Sequence, residues 1–424
     1  MTVHDSRVTE LSREENMKVV RVAGLLTVMA LLVAPLTMAT APVEITFWNI
    51  FVGAHAGVLN SIIARFHEAH PDIRVTSVHQ GGYDDLNIKL AAATAAGAPP
   101  TMALLISNWV PPAYEDALYD LTGIFPQEIV DDIYPVLVGD GTFRGRLLTV
   151  PFNRTTNVLF YNTDLVPVAP RTWEELLSLA TELRLDRDGD GRVDRFGKGI
   201  RLGPEQFAFL FLQAGGQWFN EDETAFTVDS PAGIAAMEYL LALKEVALFQ
   251  TGFFSGPFGR GEVAMYWGSS AGIAFTAAAA APVGTRWSIA RLPAGPAQEA
   301  SLFMGANIGI FELGSTPAQR AAALTFLEFL LSPEEHLYWV TRTGNLPFRF
   351  TTVQSLEWAQ FVEANPFWKG VTEQLATSEV YPHHVEWDSL RRLLEEATNA
   401  VLHGVLSPRD ALAEAAAAAQ EYLR

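Results

Sequence analysis

The chain contains no cysteine. That excludes disulfides, thiolate metal sites, a cysteine nucleophile and a lipidated N-terminus together. Basic residues are also scarce, 29 Lys and Arg against 48 Asp and Glu, and none of them cluster. A nucleic-acid surface is thereby disfavoured, because phosphate binding needs a positive footprint. The net charge of -19 suits a soluble, monomeric protein. Also missing are an internal repeat, a linker long enough to separate independent domains, and an apolar run of membrane-spanning length. The longest candidate, residues 22–34, falls short of the ~20 residues that a spanning helix requires.

That apolar run follows Met17, Lys18 and Arg21 and precedes a small-residue site at Thr37, Met38 and Ala39. This is the anatomy of a secretory signal peptide occupying residues 1–39, with translation expected to start at Met17. Its removal takes away four basic and four acidic residues and leaves the charge at -19. The expected product is exported, periplasmic or extracellular, and not a lipoprotein.

The remaining length is enough for two filled cores, since single cores stop growing near ~250–300 residues. "VEITFWNI" reads as a strand, Val58, Ile62, Ile63 and Phe66 as a helical stripe, and "IRVTSV" and "TMALLIS" as further strands. Strands alternating with helices predict a parallel sheet with right-handed crossovers. After residue 163 helices dominate, several opening on Ser or Thr followed by Pro. Between them lie the short strands "EVAMYW", "WSIARL" and "ANIGIF". The expectation is an α/β protein of two lobes sharing several chain crossings.

Four local patterns could carry chemistry. In "LDRDGDGRVDRFG", Asp186, Asp188, Asp190 and Asp194 take the first, third, fifth and ninth positions of a calcium loop, with Gly191 at its turn. The twelfth position is Gly197, so the bidentate Glu is missing. The loop reads as a structural calcium staple or as a solvated acidic turn. Gly268-Ser269-Ser270-Ala271-Gly272 matches the nucleophile elbow of serine hydrolases, with a strand before it. Ser270 would then attack, His336, His383 or His403 would act as base, and residues 79–82 would supply an oxyanion loop. Those two motifs lie nearly two hundred residues apart, no acid–His pair announces itself downstream, and the helix-heavy second half is unlike a single open sheet. Third, Trp48, Trp109, Trp218, Trp267 and Trp387 fall at strand ends or loops, where they suit either core or a cleft that stacks on sugar-like faces. Fourth, His383-His384 beside Trp387 lacks a third metal ligand at workable spacing.

The order of "ITFWNI", "ARFHEAHPDIRV", "AAATAAGAPPTMALL", "VPFNRTTNVLFYNTDL", "PRTWEELLSLATEL" and "TGNLPFR" resembles that of extracellular solute-binding proteins of ABC importers, the maltose-binding-like family 1. Within it the chain is most similar in type to members for glycerol-3-phosphate and glycerophosphodiesters. The resemblance implies a two-lobed periplasmic-binding-protein fold of type II, with a ligand cleft between the lobes. It implies one lobe from residues 42–155 and about 302–345, and another from about 156–301 and 346–424. It implies no enzyme and no required cofactor, a small polyhydroxylated or phosphorylated solute as ligand, and an ABC permease as partner. The residues "PFNRTTNVLFYN" become the first crossing strand. Ligand contacts are implied at Tyr83, Thr155, Ser269 or Ser270, Gly305 and Asn345. The chain departs from the family's pattern at several of these places. Ser107, Asn108 and Trp109 stand where an acid is expected, and Arg154 replaces a small residue. Leu202 replaces a closing aromatic, Asn345 a Tyr, and His383 or a neighbour the phosphate-holding Arg. Arg154 could return the lost charge through a bidentate fork, or could lie at the cleft mouth.

Overall fold

The computed structural model describes residues 41–423; the expected signal peptide lies outside them. The first strand, β1 (Val43–Asn49), buries Ile45, Phe47 and Asn49 in strict alternation. Helix α1 (Gly53–Ala69) buries Leu59, Ile62, Ile63 and Phe66, close to the stripe read from the sequence. It stops at His70 because the following Pro71 disfavours helical geometry there. Then come β2 (Ile73–His79), α2 (Tyr83–Ala95) and β3 (Met102–Leu105), whose four residues are all buried, as a central parallel strand requires. A short helix, α3 (Pro135–Asp140), precedes β4 (Thr149–Asn162), the longest of these strands.

The second half runs α4 (Trp173–Leu183), β5 (Phe196–Arg201), α5 (Pro204–Gln213), α6 (Pro231–Leu243), β6 (Ala247–Gln250), β7 (Val263–Ser269) and β8 (Trp287–Ala290). It continues with β9 (Ser301–Ile310), α7 (Pro317–Leu330), α8 (Pro333–Thr343), α9 (Trp387–Leu402) and α10 (Pro408–Ala419). Helices α6, α7, α8 and α10 share one opening. A Ser or Thr side chain accepts a backbone N–H of the first turn, and Pro occupies a position whose N–H has no helical partner.

The strands form one sheet in the order β2-β1-β3-β9-β4-β7-β5-β6, with β8 added against β4. The outer trios are parallel, as the alternation predicts. The central pairings are antiparallel instead: β9 with β3, and β4 with both β9 and β7. These two strands are not closed by a helical crossover, so the right-handed parallel rule does not govern them. Strand β4 changes partner along its length, from β9 at residues 149–156 to β7 at residues 157–161. Two apolar clusters result. One holds Phe47, Leu104, Phe152 and Trp339, and the other Leu176, Phe209, Leu240 and Leu412. Among the described residues no helix is long and apolar enough to cross a membrane.

Candidate functional site

The polar residues gather where β4 changes partner. Gly305 of β9 faces Arg154 there, just before a bulge between Ala306 and Asn307. Its φ of 98° is one that L side chains rarely adopt, and a Cβ would overlap the Asn153 carbonyl. Backbone thus approaches backbone at this crossing. The loop after α8 arrives at the same place: Leu346 N donates to Arg154 O at 2.7 Å. The left-handed Gly344 lies against the Ser270 carbonyl. Arg154, Thr155, Ser270, Gly305 and Asn345 are therefore neighbours, although they span almost two hundred residues of chain.

Besides Arg154 Nε, two polar atoms here have no hydrogen-bond partner among the described residues, Ser270 Oγ and Asn345 Oδ1. Both residues are fully buried. Asn345 Nδ2 donates to Thr343 Oγ1 at 2.8 Å, which fixes the direction in which its carbonyl points. Ser269 is spent locally, its Oγ accepting Ala271 N at 3.3 Å. Tyr83, the first residue of α2, accepts Asn153 Nδ2 at 2.9 Å and meets Trp109 edge to face at 6.1 Å. Burial pushes its hydroxyl up to about 12, so it keeps its proton and can donate. Asn108 Nδ2 donates to Pro382 O at 2.6 Å, tying the loop after β3 to the segment that carries His383.

Beneath these lies an ion pair that sequence reasoning missed. Arg154 is 2% exposed, and its Nη2 donates to Asp140 Oδ2 and to Asn307 Oδ1. Ser107 Oγ donates to the same carboxylate oxygen at 2.5 Å, and Asn307 Nδ2 at 3.1 Å. The other oxygen meets His383 Nε2 at 3.2 Å, and the His383 ring stacks on Phe143. Burial pulls the Arg154 guanidinium down to about 9, still above neutrality, so it remains a cation beside its acid. Burial first, and then the Arg154 charge, lower the His383 pKa from its ordinary 6.5, which leaves the ring neutral at pH 7. The one carboxylate in this cluster thus comes from the last residue of α3. A lone Arg within an apolar strand signals that some buried partner must exist, but not which one.

Other expected residues lie elsewhere. Trp267 is buried under Lys198 Nζ, 3.9 Å from its ring centroid, with Phe209 edge-on. Trp387 packs inside the second cluster against Trp218 at 5.0 Å and Tyr381 at 5.2 Å. Both are placed as core. Leu202 is half-buried between β5 and α5, its N–H held by Gln250 O at 2.8 Å. A cavity of about 460 Å³ opens beside Trp218, lined also by Gln217, Gln298 and Glu379, and none of the implied ligand contacts lines it.

The nucleophile elbow has its expected strand before it and helix after it, yet among the described residues no base reaches Ser270. His336 Nδ1 pairs with Thr352 Oγ1, His383 with Asp140, and His403 with the Asn399 carbonyl. His384 stacks on Phe219 and accepts Glu386 N, so the two adjacent histidines are engaged separately. In the acidic loop, carboxylate oxygens of Asp186, Asp188 and Asp194 lie within 4.8 Å of one another. Asp190 is not in that group and accepts Arg192 N instead. Asp186 accepts Gly189 N and Gly191 N, so the loop also closes on its own backbone.

Comparison with known proteins agrees with this architecture. A family described as bacterial extracellular solute-binding protein matches residues 61–366. The sn-glycerol-3-phosphate-binding periplasmic protein UgpB of Pectobacterium atrosepticum is 25% identical over 422 residues, 91% of this chain and 92% of its own. Among solved structures, the cyclic alpha-maltosyl-1,6-maltose binding protein of Arthrobacter globiformis superposes with a TM-score of 0.78 at 24% identity, over 90% of this chain and 99% of that one. UgpB of Mycobacterium tuberculosis, in complex with glycerophosphocholine, gives 0.77 at 21% identity, over 91% and 98%. At these identities the structural likeness is one of fold, the two-lobed α/β fold expected from the sequence.

Proposed function

The chain belongs to the bacterial extracellular solute-binding proteins, and we propose that it captures a small polyhydroxylated or glycerol-phosphate-type solute at the β4–β9 crossing and delivers it to an ABC permease. It holds a solute and does not transform one. The observation that carries the ligand class is the gathering of Tyr83, Thr155, Ser270, Gly305 and Asn345 where β4 changes partner, with unpartnered Ser270 Oγ and Asn345 Oδ1 among them. Relatives named for glycerol-3-phosphate and neighbours named for maltose-type sugars support the same range.

The two lobes in this reading are residues 42–155 with about 302–345, and about 156–301 with 346–424, joined by β4 and β9. Ligand binding closes the lobes about a few crossing residues, and shifts the balance only as far as the solute prefers the closed form. The mature protein acts as a monomer in the periplasm or outside the cell, after removal of residues 1–39, and the lack of cysteine argues against a lipid anchor. Asp186, Asp188 and Asp194 hold a structural calcium ion that staples the loop before β5 and takes no part in ligand binding.

A thermal-shift panel tests the reading. The panel holds maltose, a sugar alcohol, glycerol-3-phosphate and glycerophosphocholine, against protein freed of any copurified solute. A ligand that binds only the folded state stabilises it by about 2.7 kcal/mol at a hundredfold excess over its Kd. One compound class should stand out. Absence of a shift with every compound would overturn the proposal.

A further inference from the structure

We propose that Asp140 determines the charge this cleft accepts: by holding Arg154 and His383 it makes the site select an uncharged polyol over a phosphate ester. This rests on the solute-binding reading above. Four side chains converge on the one carboxylate, from Arg154, Ser107, Asn307 and His383. The Asp140 side chain is 4% exposed and that of Arg154 3%, so the pair is shielded from solvent and its two charges cancel at close range. Arg391, a further cation of the His383 segment and α9, is paired with Glu205 at 3.1 Å. The remaining residues of the crossing, Tyr83, Asn108, Thr155, Ser270, Gly305 and Asn345, carry no charge.

A phosphate dianion binds through charge-assisted donors, and here the Arg154 charge is neutralised by Asp140, with Nη2 spent on Asp140 and Asn307 and only Nε left without a partner. The unpartnered Asn345 Oδ1 suits a solute hydroxyl and not a phosphate oxygen. A carbonyl oxygen accepts a hydrogen bond from a sugar hydroxyl, whereas a dianionic phosphate oxygen has no proton to give it. Substituting Asp140 by Asn keeps the size of the side chain and removes the anion, which releases the Arg154 charge toward the crossing.

Isothermal titration with glycerol-3-phosphate compares the wild type with Asp140→Asn and with the double variant Asp140→Asn/Arg154→Gln. The expected result is at least tenfold tighter binding by Asp140→Asn than by wild type, about 1.4 kcal/mol. The gain should disappear in the double variant and shrink in high salt. Wild type binding glycerol-3-phosphate as tightly as Asp140→Asn overturns the proposal. Should Asp140→Asn fail to fold, titration of the wild type alone decides. Salt-sensitive binding of glycerol-3-phosphate stronger than that of every uncharged probe overturns it, and preference for an uncharged probe supports it. Both overturning results leave the solute-binding reading standing, because each is itself solute binding.

Discussion

Lowering the pH from 8 to 5 should cost the folded protein about 2 kcal/mol through one side chain, His336. This residue of α8 is 1% exposed, and its Nδ1 lies 2.9 Å from Thr352 Oγ1. Its ring packs on Phe348 with centroids 4.2 Å apart, and Nε2 has no partner among the described residues. Burial, and after it the Arg349 charge, lower its pKa from 6.5 to about 3, against a smaller opposing pull from Asp132. Because the folded-state value is depressed, the unfolded chain takes up the proton first. Stability is therefore intact above pH 6.5 and falls as the pH drops from there toward 3, by up to about 1.4 kcal/mol per pH unit. Between pH 8 and pH 5 the loss integrates to about 2 kcal/mol, in a range where most carboxylates remain ionised. Urea unfolding of wild type and His336→Gln at pH 8, 6.5 and 5 isolates it. His55, His67 and His383, whose pKa values are also lowered, are common to both proteins and cancel. The wild type should lose about 2 kcal/mol more than the variant over that span. Parallel pH curves would refute the reasoning.

Gly305→Ala forces a Cβ into the Asn153 carbonyl at a φ of 98°, and should cost about 2 kcal/mol or more in a urea melt while weakening ligand binding. Lys198 is fully buried, with Gly199 O at 3.2 Å as its hydrogen-bond acceptor, and burial holds its pKa well below 10.5. The folded state sheds that proton before the unfolded chain does, so stability should climb with pH up to about 10.5. Lys198→Met should raise stability at neutral pH and flatten the climb; a variant less stable than wild type refutes the account. Calcium at 1 mM should raise the melting temperature over that in chelator, and Asp188→Asn should abolish the difference. Equal melting temperatures would leave the loop as a turn closed by its own backbone.

Local signals carried far into the structure. Of the apolar stripe Val58, Ile62, Ile63 and Phe66, the last three become the buried face of α1 with Leu59 in place of Val58, and the Ser/Thr-Pro pairs open α6, α7, α8 and α10. Residues 150–162 lie in one continuous strand, the crossing strand that the family resemblance implied. The stripe and the helix openings depend on neighbours within a turn or two of chain, which is where periodicity and capping act. The character of the site did not travel that way. The carboxylate that neutralises Arg154 comes from the end of α3, whose own residues give no sign of it.

Trp267 and Trp387 fall at element ends much as Trp109 does, yet the first two pack into the second core while Trp109 packs into the first, edge-on to Tyr83. Which face of an aromatic is covered depends on helices that arrive from distant parts of the chain. The nucleophile elbow shows the same division: its strand and helix are local, whereas a base beside Ser270 had to come from elsewhere and did not. The sequence by itself determined the elements, the two-lobed α/β class and the family, because those rest on residues close together or on motif order. The tertiary structure alone decided which charges meet and cancel, because Coulomb pairing in a buried site depends on distances of a few ångströms between residues that the chain holds far apart.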